Sequence, residues 1–140
     1  MDPRLPDIVV YDVETTMTVE HGKVPRIIEF AAVILDGRRL HEKEAFGTLL
    51  HSDDISPLSI EHNGITAEML SDAPKFADVA DRVYAMLNGK IWMGHNISSF
   101  DNTILASAFV EIGRQPPLPM RILDTCNWIK NGLGNRSLSD

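Results

Sequence analysis

Two acidic side chains, Asp12 and Glu14, end a short apolar run at residues 8–13, whose β-branched residues predict a strand buried on both faces. Because successive side chains of a strand point to opposite faces, both carboxylates project to the same side. Two carboxylates this close repel each other, and a divalent cation would remove that penalty. Oxygen ligands of this kind suit Mg²⁺ or Mn²⁺. The pair therefore indicates a metal site, although an isolated Asp-x-Glu more often marks a strand that runs out into solvent.

A third carboxylate, Asp101, falls in the first turn of a predicted helix that follows directly on a strand at residues 91–93. Taken alone, an acidic residue here is better explained by its favourable interaction with the helix dipole. In open α/β sheets, however, ligands tend to bind at the carboxyl ends of the strands, and Asp12 and Glu14 end the strand that is predicted to be central. Asp12, Glu14 and Asp101 are therefore the candidate catalytic and metal-binding residues.

Hydrophobic patterning predicts the elements that must position these carboxylates. Strands are predicted at residues 8–13, 26–35, 40–50, 91–93 and 121–124, with a hairpin turn at Asp36-Gly37 between the second and third. Helices are predicted at residues 57–63, 66–70, 75–88 and 125–131, and from Ser98 or Ser99 to Gly113. This order implies an α/β fold, in which an antiparallel three-strand meander and parallel strands form a mixed sheet flanked by helices.

At 140 residues, the chain has the size of one domain. Its formal net charge of −7 argues against binding nucleic acid through an overall basic surface, although metal-binding carboxylates would contribute to that charge. The single cysteine, Cys126, excludes an internal disulfide, and no segment is typical of a signal peptide or a membrane span. We therefore expect an intracellular protein in the cytoplasm, the nucleus or both.

Several segments resemble the motifs of one enzyme superfamily, in the same order and with sensible spacing. Tyr-Asp-Val-Glu-Thr-Thr at residues 11–16 is similar to the first motif of the DEDD (DEDDh, DnaQ-like) 3′→5′ exonucleases, and Gly-His-Asn-Ile-Ser-Ser-Phe-Asp at residues 94–101 to the second. Residues 28–33 resemble the second strand of the superfamily, residues 62–66 its helical connection and residues 122–125 a later strand. The opening segment looks most like that of plant exonuclease-domain proteins. The resemblance implies a ribonuclease-H-like fold.

The resemblance also implies roles for individual residues. Asp12 would bridge two Mg²⁺ or Mn²⁺ ions, Glu14 would bind one of them, and Asp101 would hold the second. The residues implied to bind the terminal nucleotide are Thr15, Thr16, Met17 and Asn96. The implied partner is the 3′ end of a single-stranded nucleic acid, DNA or RNA. A homodimer is a further implication, although the sequence itself does not determine the oligomeric state.

The third motif of the superfamily, a histidine with an aspartate five residues later, does not occur in these 140 residues. None of the five histidines has an aspartate at that spacing. We therefore expect residues 1–140 to be an exonuclease domain that is truncated at its C-terminus, exposes some apolar surface and has weak or no nuclease activity.

Three other interpretations stay open at this point. The chain could be a catalytically dead module that binds a nucleic-acid end or a protein. It could be a ribonuclease-H-like protein with another metal-dependent phosphoryl transfer, which would cleave internally. The third is an α/β domain whose carboxylates have come together by chance.

Overall fold

The computed structural model describes residues 5–17, 24–94 and 101–125, which contain five strands and four helices. The strands are β1 (Ile8–Thr15), β2 (Ile27–Leu35), β3 (Glu42–Leu49), β4 (Ile91–Gly94) and β5 (Arg121–Asp124). The helices are α1 (Pro57–Asn63), α2 (Ala67–Leu70), α3 (Phe76–Leu87) and α4 (Asn102–Glu111). The predicted order of elements is confirmed from β1 to β5.

The strands form one mixed sheet in the order β3-β2-β1-β4-β5. β2 pairs antiparallel with β1 and β3, whereas β4 pairs parallel with β1 and β5, which confirms the predicted meander with parallel strands. β1 is the central strand. Its pairing with β2 runs along its whole length to Thr15, but its pairing with β4 covers only Ile8, Val9 and Val10. The C-terminal half of β1 therefore lies beyond the point where β4 leaves it.

The two longer helices, α3 and α4, pack on the same face of the sheet and form the main core. This core contains Val9, Tyr11 and Val13 of β1, Phe30 of β2, Val83 and Leu87 of α3, and Leu105 and Phe109 of α4. Burial of apolar surface contributes about 25 cal/mol per Å² to folding, so this face anchors β1. The prediction that β1 is buried on both faces is wrong, since Val10 is 36% exposed and Asp12 is exposed. Its burial alternates because both long helices lie on one side.

A smaller core lies beneath α1 and α2. Its buried members are Ile28, Ile65 and Leu70, and Leu49 and Ile55 pack against them. The segment from Ile55 to Leu70 is thereby attached to the ends of β2 and β3. This attachment places α1 beside the C-terminal end of β1.

The bounds of several elements differ from the predicted ones. β1 continues two residues further, to Thr15, and β3 begins at Glu42, because Leu40 has a φ of 59° in the preceding turn. The hairpin between β2 and β3 is confirmed, and the Asp36 carboxylate accepts hydrogen bonds from the backbone N–H groups of Arg38 (2.9 Å) and Arg39 (2.8 Å) within it.

Two predicted features, the helix cap at Ser98 or Ser99 and the helix at residues 125–131, fall outside the described residues except for Thr125. In the part of the chain that the structure describes, no helix combines the length and the apolar character needed to span a membrane.

Candidate functional site

Asp12 and Glu14 project from the same face of β1, as the alternation of the strand predicts. Asp12 is exposed and Glu14 is half-buried, whereas Val13 between them is buried in the main core. The apolar face of β1 therefore holds the strand in the protein while the opposite face presents two carboxylates. The packing that fixes the backbone also fixes the positions from which these side chains project.

Asp101 meets the same part of β1 from a different element. It lies directly before α4, has helical backbone angles and is only 7% exposed. Its carboxylate accepts a hydrogen bond from the backbone N–H of Val13 and makes a side-chain hydrogen bond with Asp12. Asp101 thus occupies the edge of β1 beyond the last residue paired with β4. The structure brings together acidic residues that are 89 and 87 positions apart in the sequence, Asp12 and Glu14 on one side and Asp101 on the other.

The electrostatics of this group disfavour its full ionisation. Burial and then the charge of Asp12 raise the pKa of Asp101 to about 6, and the Val13 hydrogen bond acts in the opposite direction. A cation beside Asp101 would offset the charge of Asp12 and favour the ionised form of Asp101.

Glu29 and His62 belong to the surroundings of Glu14, which the sequence did not indicate. Glu29 lies directly opposite Glu14 in the β1–β2 ladder, and the register shifts just beyond this pair. Burial, then Asp12 and Glu29, raise the pKa of Glu14, whereas His62 near the end of α1 lowers it. The predicted hairpin at Asp36-Gly37 sets the register of β2 against β3, not that of β1 against β2, so it could not place Glu29 here. The position of His62 depends on how α1 docks, which no local pattern encodes.

Tyr11 connects β1 to α4 beside the carboxylates. Its ring is buried in the main core, and its hydroxyl donates a hydrogen bond to Oδ1 of Asn102, the residue after Asp101. Burial and the charges of Asp101 and Asp12 raise the pKa of the Tyr11 phenol, so the hydroxyl keeps its proton as a donor. The sequence offered no signal for this contact, because the two residues are 91 positions apart.

The predicted nucleotide-binding residues Thr15, Thr16 and Met17 directly follow Glu14. Thr16 is only 1% exposed, and its hydroxyl accepts a hydrogen bond from the Arg26 N–H at 2.9 Å. Its side chain is therefore engaged in holding β1 to the start of β2. Asn96, the fourth predicted residue, lies outside the described residues.

Asp12, Glu14 and Asp101 do not form a closed metal site in the described part of the chain. Among residues 5–17, 24–94 and 101–125, no three histidine, cysteine, aspartate or glutamate side chains are grouped closely enough to hold an ion. Two open grooves of about 620 and 910 Å³ run along α4, and neither is lined by Asp12, Glu14 or Asp101. The convergence of acidic residues, rather than either groove, identifies this candidate site, because a bound cation would relieve the repulsion among these charges.

Comparisons with known proteins show what this chain resembles. The family model described as Exonuclease matches residues 9–139. Arabidopsis thaliana protein NEN4 is 39% identical over 134 residues, which are 94% of this chain and 52% of NEN4. The 3′-5′ exonuclease DinG of Bacillus subtilis is 32% identical over 84% of this chain and 12% of its own length. E. coli exonuclease I, solved with a 5cy-dA13 oligonucleotide, has a TM-score of 0.79 at 19% identity, covering 94% of this chain and 31% of that chain. The chain therefore spans about half of NEN4 and a much smaller part of the other two.

Proposed function

Because the chain belongs to the exonuclease family, we propose that it hydrolyses terminal phosphodiester bonds of single-stranded DNA or RNA from the 3′ end. Membership of this family and the ribonuclease-H-like fold are confirmed. The observation that carries the proposal is the approach of Asp101, which lies before α4, to Asp12 and Glu14 on β1. The 3′→5′ direction is supported by the similarity to DinG, which is a 3′-5′ exonuclease.

The donor chemistry of the site fits a divalent cation. Asp12, Glu14 and Asp101 offer only carboxylate oxygens, which suit Mg²⁺ or Mn²⁺, and we propose two such ions in the complete site. When bound, these ions would lower the pKa of an attacking water and stabilise the charge that develops on the phosphate and the leaving 3′-oxygen. The described residues contain no closed three-ligand cluster, so binding one ion through all three carboxylates would require their side chains to converge further.

Contacts within the protein fix the positions of the three carboxylates. The Val13 N–H orients Asp101, and the core packing of Val13 holds Asp12 and Glu14 on the opposite face. Asp12 is exposed, so a phosphate can approach it from solvent. With a net charge of −7, the protein would repel a polyanion unless cations at the carboxylates mediated the contact.

A catalytically dead binding module is the second candidate. It is favoured by the five histidines, none of which is followed by an aspartate five residues later. A positioned general base contributes roughly 10²–10⁴-fold to the rate, so we expect weak nuclease activity from residues 1–140 alone.

The two candidates are separated by incubating the protein with 5′-labelled single-stranded DNA and RNA in Mg²⁺ or Mn²⁺. Stepwise shortening from the 3′ end supports the exonuclease, and binding without shortening supports the dead module. Internal cleavage would contradict both. Calorimetric titration with Mn²⁺ should give binding to the wild type but none to Asp12→Ala, while exposed Asp72→Ala should behave as the wild type.

Two broader expectations accompany this function. We infer a location in the cytoplasm, the nucleus or both, which imaging of the tagged protein would test. Homodimer formation stays a prediction, and sedimentation velocity would test it.

A further inference from the structure

The segment Thr15, Thr16 and Met17 is tied to both ends of α1. The carbonyl oxygen of Thr15 accepts a hydrogen bond from Nδ2 of Asn63 at 3.1 Å. The carbonyl oxygen of Met17 accepts one from the Ser56 hydroxyl at 2.9 Å. Ser56 is the residue before α1 and Asn63 is its last residue, so one short helix holds the backbone on either side of Thr16.

Both side chains also serve α1 itself, which ties the helix and the segment together. The Ser56 oxygen accepts the N–H of Ser59 at 3.1 Å and so caps the start of α1. Oδ1 of Asn63 accepts the N–H of Ile65 at 3.0 Å in the turn that ends it. Each side chain therefore uses its acceptor within the α1 region and its donor on residues 15–17 at the end of β1.

Thr16 is also held by Arg26, the residue before β2. The Thr16 N–H donates to the Arg26 carbonyl at 2.8 Å, and the Thr16 hydroxyl accepts the Arg26 N–H. The smaller core beneath α1 includes Ile28 of β2, so α1 and β2 are packed together. Residues 15–17 are thus held from two sides, and Thr15 directly follows Glu14.

We infer that Ser56 and Asn63 are positioning residues that set how residues 15–17 meet the terminal nucleotide. The inference rests on the proposed function. It adds that α1, which carries none of the predicted metal ligands, governs recognition of the 3′ end through two carbonyl contacts. Neither side chain is required to touch the substrate.

Because each side chain donates one hydrogen bond and accepts another, a variant can remove the donor and keep the acceptor. Ser56→Asp and Asn63→Asp keep an acceptor for the Ser59 and Ile65 N–H groups, but they lose the donor to Met17 or Thr15. Ser56→Thr keeps both functions and is the conservative rescue. Because the aspartates also add charge, Ala67→Asp at the exposed start of α2 is the matched charge control.

The readout compares two ends of the same single-stranded oligonucleotide, one with a 3′-hydroxyl and one with a 3′-phosphate. Affinity is measured by fluorescence anisotropy in Ca²⁺, which also prefers oxygen ligands. The ratio of the two Kd values does not depend on the fraction of folded protein. Loss of one hydrogen bond should weaken binding of the 3′-hydroxyl end about 3- to 10-fold in Ser56→Asp and Asn63→Asp, and bring the ratio toward one.

Amide hydrogen exchange gives a second readout that needs no nucleic acid. The Thr16 amide should exchange faster in the two donor-less variants than in the wild type, Ser56→Thr or Ala67→Asp. Unchanged ratios and unchanged exchange in Ser56→Asp and Asn63→Asp would overturn the positioning role while the wild type still bound the oligonucleotide. A wild type that neither binds nor cleaves the oligonucleotide would instead overturn the proposed function.

Discussion

Folding and ion binding favour different protonation states of Asp101. The metal-free fold favours its protonated carboxyl, whereas a cation binds its ionised carboxylate. Asp101 is buried, and its pKa is raised to about 6, so its protonated form is the one that the metal-free fold favours. An acid with a raised folded pKa stabilises the fold fully below its unfolded pKa, near 4, and loses that contribution as the pH rises through 6. Ionisation of Asp101 therefore costs the metal-free protein stability at neutral pH.

Asp101→Asn should remove this cost, since an amide resembles the protonated acid and can still donate to Asp12. In EDTA at pH 7, we expect the variant to be more stable than the wild type by about 1–3 kcal/mol, with no advantage at pH 4. Urea denaturation between pH 4 and pH 8 measures this difference. Exposed Asp72→Asn serves as the control, and an equal pH slope for Asp101→Asn and the wild type would contradict the prediction.

Among the elements, β1 and α4 are joined at the site by the Tyr11 hydroxyl and Asn102. Removal of the hydroxyl in Tyr11→Phe should destabilise the protein by about 0.5–1.5 kcal/mol, because the Asn102 oxygen loses its donor while the ring stays packed. A double-mutant cycle with Asn102→Ala, followed by urea denaturation, should show coupling of similar size. Tyr84→Phe, whose hydroxyl has no hydrogen bond among the described residues, should cost less. Additive effects of Tyr11→Phe and Asn102→Ala would show that the contact contributes nothing.

A separate prediction concerns Gly37 in the turn between β2 and β3. A Cβ on Gly37 would lie 2.1 Å from the carbonyl oxygen of Pro6, so the backbone would have to shift. On β3, a Cβ on Gly47 would meet its nearest atoms at 3.8 and 3.9 Å, which is ordinary contact. We expect Gly37→Ala to lower the free energy of unfolding by about 1–3 kcal/mol and Gly47→Ala to leave it unchanged or raise it by up to about 1 kcal/mol. Thermal denaturation of the two variants would refute the steric explanation if their order were reversed.

Whether the sequence predicts a feature of the site depends on how far apart along the chain the interacting residues lie. Strand alternation is local, so the shared face of Asp12 and Glu14 could be read from residues 8–14. The approach of Asp101 followed from the general position of strand ends in such sheets. In contrast, the Glu14–Glu29 pair depends on register, and the Tyr11–Asn102 contact depends on how α4 docks on β1. The burial of only one face of β1 could not be predicted either, because it depends on where both long helices pack.

For the whole molecule, bound divalent cations should offset the repulsion among the carboxylates and so raise the free energy of unfolding. The chain carries a net charge of −7, and Asp12, Glu14 and Asp101 lie near one another at one edge of its central strand. A ligand that binds only the folded state stabilises it by RT ln(1 + [L]/Kd), or about 1.4 kcal/mol at tenfold the dissociation constant. Because protons compete for Asp101, this gain should be larger at pH 7.5 than at pH 5.

Denaturation in Mn²⁺ and in EDTA at matched ionic strength measures this gain. NaCl at the same ionic strength controls for general screening of the surface charge, which acts on every exposed carboxylate. Asp12→Asn should lose the Mn²⁺ response while exposed Asp72→Asn keeps it, since Asp12 lies beside Asp101 and Asp72 belongs to a different part of the surface. An equal Mn²⁺ response in Asp12→Asn and the wild type would mean that the cation acts elsewhere, and the metal-dependent mechanism at this edge of β1 would fail with it.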